Sequence, residues 1–131
     1  MLRIASLLAI VCMLSIVFSA HYKTDSQLTK LMRTMAADMK KVRVEIIAGK
    51  KISNFGKQYT KINTAQPSSE SKKGELFPEF SRAFLVQLDR FKNAPSESAK
   101  IEFNALAKTC VHCHETYCPG PITMLRKLQI P

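Results

Sequence analysis

Five consecutive residues, Cys110-Val111-His112-Cys113-His114, restrict this chain more than any other stretch in it. Two thiols three residues apart, followed at once by an imidazole, form the attachment site of a c-type haem. The thiols add to the vinyl groups of the porphyrin and become thioethers, and His114 ligates the iron from the proximal side. The spacing is helical. Residues three and four apart share a face, so Cys110, Cys113 and His114 point to one side, close enough to hold one macrocycle edge and its metal. Tyr117 falls on the same face, between the two cysteines by helical angle, and is expected in the haem pocket.

Two other chemistries use the same residue types. Cys118 follows four residues after His114, so Cys110, Cys113, His114 and Cys118 have the composition of a Cys₃His zinc knuckle. A compact tetrahedral site usually draws its ligands from two separated pairs, and no second pair exists in this sequence. A redox disulfide between Cys110 and Cys113 is the other alternative, but that motif opens a helix after a strand. Here the motif lies near a helix end.

The N-terminus bears on the choice. Met1-Leu2-Arg3 precedes an apolar run from Ile4 to Phe18, and the small Ser19 and Ala20 precede the polar His21-Tyr22-Lys23. This is the pattern of a secretory signal peptide, residues 1–20, with cleavage after Ala20 and Ser19 as the alternative cut. The run is short for a membrane span, so an uncleaved anchor is the secondary reading. Bacterial haem attachment takes place outside the cytoplasm. The leader and the pentapeptide therefore support each other and point to the periplasm, whereas a zinc knuckle needs no export. Residues 21–131 are enough for one domain. They keep Cys110, Cys113 and Cys118, an odd count that does not suit a disulfide framework.

The chain has 20 Lys plus Arg against 10 Asp plus Glu, a net charge of +10. Such a surface favours acidic partner proteins or anionic membrane surfaces. Export and the lack of any groove-reading motif argue against nucleic acid.

Hydrophobic periodicity marks four helical segments and no strand. Thr24 and Gln27 read as a capping box, followed by an apolar stripe Leu28, Leu31, Met32, Met35, Met39, Val42 and Ile46, with Gly49 as the stop. Ser53 caps a second, shorter segment that buries Ile52, Phe55, Tyr59 and Ile62. Residues 64–74 are a polar loop. The third helix begins near Pro78 and carries Phe77, Phe80, Phe84, Leu88 and Phe91. Ser96 caps the fourth, whose buried face is Ala99, Phe103, Leu106, Ala107, Cys110, Cys113, His114 and Tyr117. Pro119-Gly120-Pro121 ends it, and Ile122, Leu125 and Leu128 are expected to fold back. This pattern predicts an all-α domain, an antiparallel four-helix bundle with covalent haem on the last long helix.

A leader, four helices, and Cys-x-x-Cys-His followed by Glu115-Thr116-Tyr117 near the end of the last helix are features of the cytochrome c′ family, which the chain resembles from Thr24 to Cys118. The resemblance implies one covalent haem c lodged between helices. Family members divide on the distal side of the iron. The c′ proteins proper place an apolar residue of the first helix there and bind gases, whereas low-spin relatives place a methionine and transfer electrons. Aligning Met35-Ala36 with the family's pattern puts Met32 at the distal position, with Met35 as second choice. By composition alone a given first-helix methionine is more often a core filler than a ligand. Two positions depart from the family. Cys118 stands where Arg or Lys is usual, and Leu28 stands where an Arg near a propionate is usual; Lys30 and Arg33 are the substitutes nearby.

The expectation is an exported electron carrier with His114 and Met32 as axial ligands, no catalytic residues, and an acidic redox partner. A five-coordinate gas-binding cytochrome c′ and a structural zinc module are the alternatives. The sequence leaves the oligomeric state open, a homodimer included. His112 is expected to face solvent, and Cys118 to be a buried small apolar residue, with an intermolecular disulfide and a reactive thiol near the haem edge as the alternatives.

Overall fold

The structure, a computed structural model, describes residues 25–52, 55–69 and 73–131. The leader at residues 1–20, Thr24 and Ser53 lie outside the described residues. All regular structure among them is helical: α1 Gln27–Ile47, a 3₁₀ helix Tyr59–Asn63, α2 Phe77–Lys92, α3 Ala99–Tyr117 and a short α4 Ile122–Arg126. None of these helices is long and apolar enough to cross a membrane.

The ends of α1 follow from single residues. Ser26 is the N-cap, and its hydroxyl accepts from the Thr29 N–H at 3.1 Å. The helix thus starts at Gln27, which is its first residue rather than the reciprocal partner of a capping box. The Gln27 side chain instead accepts from the Gln66 N–H at 3.1 Å, and the Gln66 carbonyl accepts from the Leu28 N–H at 2.9 Å. The polar loop after the 3₁₀ helix therefore takes over amide donors that a helix N-terminus leaves unsatisfied. At the other end Gly49 adopts φ 64°. Its N–H reaches the Ile46 carbonyl at 3.0 Å, and the Lys50 N–H reaches Glu45 at 2.8 Å. This paired closure needs a left-handed residue, which glycine adopts without steric penalty.

The second segment differs from expectation. Gly56 has φ 76°, and a Cβ there would stand 3.0 Å from Leu88 Cδ1. A left-handed residue interrupts the α-helix, and only the 3₁₀ turn Tyr59–Asn63 forms. The inward pattern survives the change: Phe55, Tyr59 and Ile62 are buried. Phe55 sets its edge against Tyr59 and Phe91, with centroids 5.3 and 5.4 Å away.

α2 and α3 pack most extensively on each other, through Phe91 and Phe103 among others. Ser98, not Ser96, precedes α3, and it makes no side-chain cap hydrogen bond. α1 approaches α3 more sparsely. The C-terminal segment folds back as expected, with Leu125, Leu128 and Ile130 in the core. Asn104 clamps it. The Asn104 amide donates to the Ile130 carbonyl, and its oxygen accepts from the Ile130 N–H, both at 2.8 Å. Val111 is buried although the stripe omitted it. It lies seven residues from Asn104, on the same side of the helix.

Candidate functional site

The pentapeptide forms the last turns of α3, and the chain leaves the helix immediately after it. Cys118 is the C-cap, with φ −157° and ψ 76°. Pro119 cannot continue the helical hydrogen-bond ladder. The turn brings the Cys118 carbonyl to 2.9 Å from His114 Nδ1. A carbonyl only accepts, so Nδ1 carries the proton. The lone pair is thereby assigned to Nε2, the tautomer required of a histidine that ligates metal through Nε2.

Between α1 and this end of α3 lies a predominantly apolar cavity of about 290 Å³. α1 contributes Leu28, Met32 and Ala36; α3 contributes Cys113, His114 and Tyr117; and Phe77, Met124 and Leu125 close it. Its volume is at the small end of ligand pockets. A further space of about 30 Å³ continues inward past Met35, Met39, Tyr59 and Cys110, and it too is lined by Met32 and His114. Met32 and His114 thus reach both spaces. Met35 lines only the inner one and is buried at 6% exposure, whereas Met32 is half-buried.

Tyr117 is held in place by aromatic edges, with Phe77 and Phe80 each 6.0 Å away between centroids. Gly74 passes against the ring, where a Cβ would come within 3.1 Å of Tyr117 Cε1. Arg126 pairs with Glu115 at 3.0 Å and ties α4 to the helix that bears the motif. At the cavity mouth Arg33 pairs with Asp25.

Burial pushes the Cys110 thiol up to about 12, helped by the nearby Cys113. Burial, and then Cys118, raises Cys113 as well. The buried Tyr59 hydroxyl donates to Asp38 at 2.9 Å, and desolvation followed by that carboxylate raises its pKa far above the ordinary tyrosine range.

The sequence-predicted Cys113, His114, Tyr117 and Met32 therefore meet at one cavity, and Cys110 and Met35 meet at its inner extension. His112 is exposed. Cys118 is half-buried and lines the cavity, so it is more open than the buried residue expected of it. The three described cysteines are free. Among the described residues, no three His, Cys, Asp or Glu side chains are grouped to hold a metal ion. Sequence reasoning missed Tyr59, Met124 and Leu125 as cavity walls. The three-residue recurrence of Ile122, Leu125 and Leu128 signalled only that the tail is apolar.

No protein-family model, curated protein or solved structure matches the chain.

Proposed function

We propose that this protein is an exported c-type cytochrome of cytochrome c′-like architecture, an electron carrier with a single covalent haem c held by Cys110 and Cys113. The observation that carries the reading is the convergence of His114, in its Nδ1–H tautomer, and Met32 on one apolar cavity beside the two motif cysteines. Residues of this type and placement fit the group: two thiols for attachment, an imidazole nitrogen and a thioether sulfur for the iron, and apolar walls for the macrocycle.

Bound there, the haem supplies a one-electron Fe(III)/Fe(II) couple. The protein's part is to set its environment. His114 is oriented by the Cys118 carbonyl, which fixes the ring and its tautomer. Met32 would supply its thioether sulfur to the iron, and a haem so held would offer no open site to a gas or a substrate. Leu28, Ala36, Phe77 and Leu125 exclude water and disfavour the additional charge of the oxidised iron. Arg33 at the mouth is the cation nearest to hand for a propionate. The architecture is that of a bundle in which the 3₁₀ turn Tyr59–Asn63 stands in the second helix's place. The basic surface steers an acidic redox partner.

The test is covalency. Protein expressed with a periplasmic haem-attachment system should keep its haem through denaturing electrophoresis. Cys110→Ala and Cys113→Ala should each weaken the stain, and the double variant should abolish it. Unstained parent protein matured in that compartment refutes the reading.

A further inference from the structure

The end of the molecule opposite the motif carries a second concavity, of about 680 Å³, between the C-terminal ends of α1 and α2 and the start of α3. Lys50, Lys51, Lys57 and Lys92 stand around it, and among the described residues no acidic side chain lines it. Among the described residues none of these four ammonium groups has an ion-pair partner. The floor is apolar, formed by Ile46, Ile52, Phe55 and Phe91. Beside it Ile47, in the last turn of α1, is 57% exposed.

Cations near helix C-termini complement the helix dipole, and that accounts for one or two lysines. It does not account for four around one concavity with no ion-pair partner among them. We infer that this cup is a docking site for an anionic phospholipid surface, with headgroup phosphates among the four lysines and the exposed Ile47 and half-buried Ile46 and Ile52 against the glycerol and upper acyl region. Two features select that occupant. A small soluble phosphate has no use for the apolar floor, whereas lysines combined with aliphatic side chains match the interfacial zone of an anionic bilayer. An acidic redox partner has to approach the haem, and Met32 and Ile46 are 14 residues apart on one helix, about 21 Å. Docking by the cup leaves the motif end directed away from the membrane and open to a soluble partner. The inference uses none of the haem-site residues; the choice of a membrane over an acidic protein partner rests on the proposed function, whereas the vesicle test reads binding without any haem signal.

The experiment is sedimentation of the full chain with vesicles of phosphatidylcholine alone or mixed with phosphatidylglycerol. Binding should favour the anionic vesicles. Each lysine near such a surface is worth on the order of a fivefold change in partitioning. The variant Lys50→Gln, Lys51→Gln, Lys57→Gln, Lys92→Gln should therefore lose about six-hundredfold where the four contributions add in full, and at least tenfold. A control with the same charge change elsewhere, Lys30→Gln, Lys40→Gln, Lys108→Gln, Lys127→Gln, should lose much less. Equal loss in both variants shows that net charge alone is responsible and overturns the site. So does an unchanged cup variant, an absence of preference for anionic vesicles, or displacement from vesicles by millimolar inorganic phosphate at constant ionic strength.

Discussion

Replacing Asn104 with Ala tests how the wall of the cavity is held. The side chain makes two hydrogen bonds of 2.8 Å to the backbone of Ile130, one in each direction. Each is worth about 1 kcal/mol net, and the Ile130 N–H and carbonyl left behind raise the total to about 2–3 kcal/mol. The tail has little reserve against such a loss. Burial of Leu125, Leu128 and Ile130 contributes about 1.5–3 kcal/mol per side chain. Ordering the backbone from Ile122 onward costs about 1–2 kcal/mol per residue. The ordering cost is the larger of the two, so the segment depends on its remaining contacts, the clamp among them, to stay docked. Amide exchange in a peptide spanning residues 122–131 should accelerate by about 30-fold or more, while amides in the middle of α2 hold their rates. Asn104→Asp keeps an acceptor for the Ile130 N–H but loses the donor to its carbonyl, and should fall between parent and Ala. Since Met124 and Leu125 wall the cavity, tail opening should also admit water to it. Unchanged exchange in the tail, with stability within about 0.5 kcal/mol of the parent, refutes this account.

In the haem-loaded protein, Met32→Ala should open the sixth position and give a high-spin spectrum that shifts with carbon monoxide, whereas Met35→Ala should keep the low-spin spectrum and lose about 2–5 kcal/mol of stability as a core truncation; the reverse pattern would move the ligand to Met35. Tyr59→Phe should cost about 1.5–3 kcal/mol at neutral pH through the lost bond to Asp38. Because the folded-state pKa of Tyr59 is raised, its protonated form stabilises the fold fully below pH 10, and that contribution declines as pH rises beyond 10. The Phe variant should accordingly show a shallower alkaline loss in denaturant titrations, and an identical slope would contradict the assignment. In the chain without haem, iodoacetamide at pH 8 should modify the half-buried Cys118 well before Cys110, whose thiol burial pushes up to about 12. Mass mapping that finds Cys110 labelled first would sink that ordering.

Periodicity exposed the parts of this molecule that local rules decide. The stripe from Leu28 to Val42, the glycine stop at position 49 and the fold-back of the apolar tail are all present. So is the shared face of Cys110, Cys113, His114 and Tyr117, because helical geometry alone sets it. Other features depended on contacts remote in sequence. Thr24, Asp25 and Ser26 are all residue types that cap helices, and Ser26 serves beside Gln27, which is engaged with Gln66, 39 residues away. Gly56 sits inside the second apolar segment, where close approach to Leu88 and a positive φ exclude the helix that the periodicity predicts. The cavity is assembled from α1, α2, α3 and α4 together, so its walls Phe77 and Met124 carry no local signal. The same holds for the Tyr59–Asp38 and Asn104–Ile130 pairs, which span 21 and 26 residues.

The central claim is that His114 and Met32 face each other across a covalently held haem. One optical titration of the purified, haem-bearing protein addresses it directly. The spectrum is recorded oxidised, then reduced with dithionite, then reduced under carbon monoxide. His/Met ligation predicts sharp, separated α and β bands on reduction and no change on adding the gas. A broad high-spin spectrum that shifts with carbon monoxide would show an open distal site and contradict Met32 as ligand. A colourless protein would contradict the haem itself.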